Sequence, residues 1–132
     1  MTVKYQQETQ LNLDEMLALY QASGINRPLA DRERMAIMLA SSNLLISARM
    51  DGKLVGLARC LTDRAYVVYI CDLLVDKAHQ QQGIGKALLA AVQHATGPQV
   101  QQLLRSAPSA MQYYPKVGFS AVDNAFHIQR QY

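Results

Sequence analysis

Apolar residues dominate the middle of the chain in short runs bounded by turn residues, a pattern typical of β-strands. Residues 44–50 and 53–62 flank Asp51-Gly52, a pair that favours a two-residue hairpin turn. A second turn near Asp63-Arg64 leads into residues 66–75, which are rich in Val, Ile, Tyr and Leu. We therefore predict three consecutive antiparallel strands.

Apolar residues occur at helical spacing both before and after these strands in the sequence. Asn12 with Glu15 three residues later predicts the start of a first helix, which Gly24 ends. Asp31 is a candidate cap for a second helical stretch. A third helix, from about 83 to 95, has the strongest pattern. Its apolar positions are Ile84, Ala87, Leu88, Ala91, Val92 and Ala95.

Shorter predicted elements complete the chain. They are strands at 2–7, 100–105, 119–122 and 125–130 and a short helix at 109–116. The order β-α-α-β-β-β-α-β-α-β-β predicts an α/β fold, with a mixed, mainly antiparallel sheet and helices on both faces. We find no repeat, linker or low-complexity tract, so we predict a single domain over residues 1–132.

Composition narrows the class of protein. Half of the 132 residues are hydrophobic and 17% are charged, which is ordinary for a globular domain and excludes a disordered chain. The apolar runs are too short for a membrane span, and the first residues lack a signal-peptide core. Cys60 and Cys71 are too few for a disulfide framework, and the three histidines are isolated. We expect a cytosolic protein with reduced cysteines, no metal site and no membrane partner.

Basic residues are unevenly distributed. The net charge of +3 is too weak to indicate nucleic acid. Residues 77–132 nevertheless contain five Lys or Arg and one acid, Asp123, and no Asp or Glu occurs from Lys77 to Val122. This asymmetry favours an anionic ligand.

Two glycines, Gly83 and Gly85, precede the third helix directly after a predicted strand. The free N–H groups and the positive dipole end of a helix start bind phosphate, and a bound anion would offset the repulsion of Lys86 there. Taken alone, the pattern is as compatible with a tight turn and a solvated lysine. It does not fit a Rossmann fingerprint, because Leu88 replaces the third glycine, nor a Walker loop, where Gln80 replaces the first.

Two motifs together resemble the GCN5-related N-acetyltransferase (GNAT) family. The first is Gln80-x-x-Gly83-x-Gly85 after a strand that ends in Leu73-Leu74-Val75-Asp76, and it is similar to the family's acetyl-CoA signature. The second, some thirty residues later, is Tyr113-Tyr114-Pro115-Lys116-Val117-Gly118-Phe119. The resemblance implies a GNAT-like fold. It also implies transfer of acetyl from acetyl-CoA to a primary amine of a small molecule or peptide, by direct attack in a ternary complex.

The same resemblance implies the cofactor-binding residues. The pyrophosphate would bind backbone N–H groups of the glycine loop, and the pantetheine arm would lie along the preceding strand, where an N–H near Leu73 could face the thioester carbonyl. Ser109 is a candidate replacement for an asparagine that many members carry in the strand after the long helix. The implied residues are Leu73, Leu74, Val75, Gln80, Gln81, Gln82, Gly83, Ile84, Gly85, Lys86, Ala87, Ser109 and Tyr114.

Asp72 and Tyr114 are the candidate catalytic residues. An amine with a pKa near 10.4 must lose a proton before it attacks, so Asp72 is a candidate base or ammonium anchor; a structural pair with Arg59 is equally compatible. Tyr114 matches the family's tyrosine and could protonate the departing thiolate. The alternative is a half-buried aromatic residue with no catalytic role, and Pro115 leaves the direction of its hydroxyl open. We expect Tyr113 in the core.

Two other functions remain open at this point. A non-catalytic acyl-CoA-binding or sensor domain would keep the loop without the chemistry, and a generic phosphate binder would bind ATP at least as tightly as acetyl-CoA. The expected partners are acetyl-CoA and an amine acceptor. Mixed charge in residues 12–40 does not identify the acceptor. Many relatives form homodimers, but the sequence carries no interface signal.

Overall fold

The computed structural model describes residues 2–132 and contains one five-stranded sheet. The strands are β1 (Val3–Gln7), β2 (Leu44–Met50), β3 (Lys53–Thr62), β4 (Val67–Val75) and β5 (Gln101–Leu104). They lie side by side in this order. The first four pair antiparallel, and β5 is parallel to β4. The predicted mixed, mainly antiparallel sheet is therefore confirmed.

Four helices surround the sheet within the described residues: α1 (Leu13–Ser23), α2 (Arg32–Ser41), α3 (Ile84–Thr96) and the single turn α4 (Tyr113–Lys116). The predicted caps are in place, since Asn12 Oδ1 accepts the Glu15 N–H (3.0 Å) and Asp31 Oδ1 accepts the Arg34 N–H (3.1 Å). Over residues 2–132, none of the helices has both the length and the apolar character required to cross a membrane.

Two turns fix the meander of β2, β3 and β4. Asp51 and Gly52 both have positive φ (51° and 82°), as a hairpin that follows the right-handed strand twist requires. At the next turn the Asp63 carboxylate accepts the N–H groups of three following residues at 2.8–3.1 Å; these are Ala65, Tyr66 and Val67. Both predicted turns are confirmed.

The helices cover both faces of the sheet, as predicted. On one face, Met16 and Tyr20 of α1 and Met35 of α2 pack against inward side chains of the sheet, which include Leu57 and Leu74. On the other, α3 buries a stripe of apolar side chains, Ile84, Leu88, Leu89 and Val92. The two layers hold β4 between α1 and α3, and the end of β4 becomes one wall of the cleft described below.

The C-terminal part differs from the prediction. The strands expected at 119–122 and 125–130 do not form, and Phe126 and Ile128 are 96% and 99% exposed. Alternating apolar residues produce a strand only where a neighbouring strand accepts their backbone hydrogen bonds, and β5 offers just the four residues Gln101–Leu104. The helix expected at 109–116 is instead a 3₁₀ turn, Pro108–Ala110, followed by the single turn α4.

Candidate functional site

A cleft opens where β4 and β5 part. β5 pairs with β4 only from Val67 to Ile70, whereas β3 remains paired with β4 as far as Val75. Residues 71–75 therefore have one backbone edge without a neighbouring strand in the described structure. A cavity of about 1830 Å³ lies along this edge and extends to the start of α3 and to α4. An open strand edge of this kind can accept an extended ligand through main-chain hydrogen bonds.

The loop after β4 is anchored to the strand it follows. The Gln80 side-chain amide donates to the Val75 carbonyl (3.1 Å), and Asp76 Oδ1 accepts the Ala78 N–H (2.9 Å). Gln81 and Gly83 both have left-handed backbone (φ 64° and 83°), a conformation that glycine adopts without strain. These features turn the chain sharply from β4 into α3, so that the start of the helix faces the cleft.

The first turn of α3 presents backbone donors. The first hydrogen bond within the helix runs from the Ala87 N–H to the Gly83 carbonyl (3.0 Å). The N–H groups of Ile84, Gly85 and Lys86 precede it and have no acceptor within the helix. Together with the positive end of the helix dipole, they form a place for an anion such as a pyrophosphate.

Two tyrosine side chains of α4 line the cleft opposite this helix start. The rings of Tyr113 and Tyr114 meet edge to face with centroids 5.2 Å apart, and Tyr114 makes a second such contact with Phe119 at 5.7 Å. Burial raises the pKa of both hydroxyls, and the neighbouring Tyr113 raises that of Tyr114 further. Both hydroxyls are therefore protonated at neutral pH.

Tyr113, which we expected in the core, is only half-buried. Its hydroxyl oxygen lies 2.8 Å from the position that a Cβ atom on Gly85 would take. Gly85 was the only clue to this contact in the sequence. Because glycine has no side chain, it allows an aromatic hydroxyl to approach the helix backbone.

We predict that Gly85→Ala weakens the binding of a diphosphate-bearing ligand in the cleft. The new methyl group would lie 2.8 Å from the Tyr113 hydroxyl oxygen, too close for an unstrained contact, so the tyrosine, which lines the cleft, must shift. We expect a loss of about tenfold in affinity, equal to ~1.4 kcal/mol, measured by calorimetry.

The double variant Gly85→Ala/Tyr113→Phe is the matched control. Removal of the hydroxyl leaves the nearest ring carbon 3.7 Å from the added methyl group, an ordinary van der Waals distance. Affinity should return most of the way to that of Tyr113→Phe alone. A double variant that stays as weak as Gly85→Ala would contradict this explanation.

Asp72 lies in a buried network at the base of the cleft. Its side chain is fully buried and accepts a hydrogen bond from Arg59 Nε to Oδ2 at 2.7 Å. Arg27 donates to its other oxygen, and the Tyr20 hydroxyl also donates to Oδ2. The pair with Arg59, one of the two alternatives for Asp72, is present because the two residues are directly opposite in the β3–β4 ladder.

Arg27 and Tyr20 are the members of this network that sequence reasoning missed. Tyr20 is fully buried on the inner face of α1, and burial and the Asp72 charge raise the pKa of its hydroxyl. Arg27 follows α1, contacts Asp72 and the Cys71 carbonyl (3.4 Å), and keeps 34% of its side chain exposed. For Tyr20, the sequence offered one indication, a tyrosine among the apolar residues that form the buried face of a helix. For Arg27, nothing in the sequence indicated a contact with Asp72.

The cleft brings together most of the residues predicted to bind the cofactor. Of the predicted residues, those that line it are Leu73, Val75, Gln80, Gln81, Gly83, Ile84, Gly85, Lys86, Ser109 and Tyr114, together with Asp72. Leu74 faces the opposite side of β4, in the core beneath α1, and neither Gln82 nor Ala87 lines the cavity. Among residues 2–132, no three His, Cys, Asp or Glu side chains are grouped in a way that could hold a metal ion.

Comparison with known sequences identifies similar proteins. A sequence model described as "Acetyltransferase (GNAT) domain" matches residues 17–129. An uncharacterized N-acetyltransferase from Pyropia yezoensis is 28% identical over 116 residues, which cover 83% of this chain. The matched region spans 65% of the length of that relative.

Solved structures with the same fold cover nearly the whole chain. A GNAT-family protein from Streptococcus pneumoniae is 25% identical, with a TM-score of 0.76 over 98% of this chain and 100% of that one. An aminoglycoside N-acetyltransferase in complex with CoA is 18% identical, with a TM-score of 0.72 over 98% of this chain and 95% of that one. At 18% identity the second likeness concerns the fold alone.

Proposed function

The chain belongs to the GNAT acetyltransferase family, and we propose that it transfers the acetyl group of acetyl-CoA to a primary amine of a small molecule or peptide. The observation that carries this proposal is the position of the open β4 edge directly beside the start of α3. One element accepts an extended chain, and the other accepts a diphosphate. A CoA molecule consists of an extended pantetheine arm joined to a diphosphate, so it can occupy the strand edge and the helix start together.

Acetyl-CoA would bind mainly through backbone groups. In this proposal the free N–H groups at the start of α3, those of Ile84, Gly85 and Lys86, hold the pyrophosphate. The Ala87 N–H is already bonded within the helix. Gln80 keeps the loop in place through its bond to Val75. The pantetheine arm lies along residues 73–75 like an added strand, with an N–H near Leu73 directed at the thioester oxygen. Ser109 lines the same cleft and contributes a hydroxyl from the opposite wall.

The reaction needs one nucleophilic attack and two proton transfers. The amine nitrogen attacks the thioester carbonyl, the C–N bond forms, the C–S bond breaks, and the CoA thiolate leaves. The nitrogen loses one proton, and the thiolate gains one. We assign the second transfer to Tyr114, whose hydroxyl stays protonated at neutral pH because burial raises its pKa. The tyrosinate formed in this step regains a proton from water before the next turnover.

We assign Asp72 a positioning role. Both of its carboxylate oxygens already accept hydrogen bonds, from Arg27, Arg59 and Tyr20, so the side chain has little capacity left to take a proton from the amine. Its charge instead holds the two guanidinium groups at the base of the cleft. The amine therefore attacks in its neutral form, and the proton that its nitrogen loses after the attack is released to water.

Two measurements test the proposed function together. Calorimetry with acetyl-CoA and with ATP establishes what the cleft binds, and release of free CoA thiol in the presence of an amine panel measures turnover. We expect tight binding of acetyl-CoA only, together with turnover of at least one amine. Binding without turnover of any amine would favour the sensor domain, and equal binding of ATP would favour the generic phosphate binder.

Three further properties stay predictions: a cytosolic location, a single-domain organisation and a homodimer. The absence of nucleic-acid and membrane partners is also a prediction.

A further inference from the structure

The charged side chains that line the cleft are almost all positive. Seven are Lys or Arg, against a single Asp or Glu side chain, that of Asp72. The cationic residues are Arg27, Arg34, Arg59, Lys77, Lys86, Arg105 and Arg130. An excess of this size sets the sign of the potential inside a partly enclosed cleft, where low-dielectric walls concentrate the field.

Asp72 does not neutralise this excess. It is bound by two guanidinium groups, those of Arg27 and Arg59, so the buried group carries one net positive charge. Arg59 is 9% exposed, whereas Arg27 keeps 34% of its side chain exposed at the cleft. Arg27 is therefore a guanidinium held in a fixed position and still accessible to a ligand.

The CoA phosphates account for only part of the charge. Lys77 and Lys86 are in or next to the loop and helix start where a diphosphate would bind. The arginines with exposed or partly exposed side chains come from other parts of the chain: Arg27 follows α1, Arg34 is in α2, Arg105 follows β5, and Arg130 is near the C-terminal end of the described residues.

Two of these arginines, Arg27 and Arg105, lie at the other end of the open strand edge. Arg105 directly follows Leu104, which pairs with Ile70, so Arg105 is at the level of Cys71, and the Cys71 carbonyl accepts a hydrogen bond from Arg27. The acetyl end of the pantetheine arm would approach this part of β4. Positive charge therefore remains around the reacting centre after the diphosphate is bound.

Resting on the proposed function, we propose that the acceptor is a primary amine that also carries an anionic group, a carboxylate or a phosphate. Planar guanidinium groups bind both anions through paired hydrogen bonds, which fix the orientation of the amine towards the thioester. Positive charge around the amine also favours its neutral, reactive form. Polycationic acceptors such as aminoglycosides would be repelled by the same residues.

Matched amine pairs test the proposal by turnover. β-Alanine is compared with propylamine, and phosphoethanolamine with ethanolamine, so that each pair differs mainly in the anionic group. We expect kcat/KM to be about tenfold or more higher for the anionic member of at least one pair, which identifies the anion. Equal values within both pairs, or higher values for the uncharged members and for an aminoglycoside, would overturn the proposal.

A binding measurement separates this inference from the proposed function. The acetylated products N-acetyl-β-alanine and N-propylacetamide are titrated into the protein saturated with CoA. Preferential binding of the anionic product would support the anion site even if no amine were turned over, in which case only the proposed function fails. Equal binding, or no binding of either, would overturn the inference alone.

Arginine variants locate the anion site. Arg34→Gln removes an exposed cleft guanidinium outside the Asp72 network and should reduce the preference for the anionic product about threefold or more, and Arg27→Gln should reduce it further. Arg32→Gln is the matched control, because Arg32 is an exposed arginine of the same helix, paired with Asp14 at 2.6 Å, that does not line the cleft. A preference unchanged in both cleft variants, or reduced equally in Arg32→Gln, would contradict the assignment.

Discussion

Tyr114→Phe should lower kcat by about 100-fold while it changes the KM for acetyl-CoA little, because loss of a positioned general acid typically costs two orders of magnitude or more. The phenylalanine ring keeps the edge-to-face contacts with Tyr113 and Phe119, so the variant should fold normally. Steady-state kinetics of CoA release, with each substrate varied in turn, measures both constants.

Tyr113→Phe is the control for this variant, because the two residues are adjacent and both side chains line the cleft. Its hydroxyl lies against Gly85, at the start of α3. We therefore expect Tyr113→Phe to alter the KM for acetyl-CoA and to leave kcat within about threefold of the wild type. Wild-type turnover in Tyr114→Phe would refute the assignment, and a large loss of kcat in Tyr113→Phe alone would transfer the role to that residue.

The pH dependence of the wild type follows from the same assignment. The reaction needs the protonated form of Tyr114, and this form is lost only as the pH rises through the pKa of the hydroxyl. Burial raises that pKa above its ordinary value near 10. Activity should therefore show no fall attributable to this tyrosine between pH 6 and about 10.

The sequence predicted the elements whose pattern is local and strong. The stripe from Ile84 to Val92 has helical spacing and is buried as such, and Asp51-Gly52 forms the expected hairpin turn. In these cases the residues that determine the structure are neighbours along the chain. The glycine loop belongs to the same class, since its backbone conformation depends on Gly83 and the residues next to it.

Features that depend on contacts between residues far apart in sequence could not be predicted from local patterns. The Asp72 network joins Asp72 to Tyr20, Arg27 and Arg59, which are 52, 45 and 13 positions away in sequence. Only the antiparallel register of β3 and β4 gave a clue, and it concerned Arg59 alone. The two strands expected after residue 118 failed for a related reason, because local alternation does not say whether a partner edge is available.

Asp72→Asn should cost about 3–5 kcal/mol of unfolding free energy, because it removes the only carboxylate that two buried or half-buried guanidinium groups share. The side chain is fully buried, so water cannot replace the lost charge, and Arg59 is left at 9% exposure without an anion. Urea unfolding, followed by circular dichroism, gives the difference in midpoint, and an unchanged slope would show that the unfolding transition itself is the same.

Asp14→Asn is the appropriate comparison, since Asp14 also pairs with an arginine, Arg32, but the two side chains are 73% and 59% exposed. An exposed pair of this kind contributes little, so this variant should stay within about 0.5 kcal/mol of the wild type. The positioning role also predicts that Asp72→Asn, assayed where it is folded, keeps the shape of the wild-type pH–rate profile. If the variant no longer lost activity at low pH, Asp72 would instead be the base. If the variant were as stable as the wild type, the two arginines would not need the charge of Asp72 to be stable in the fold.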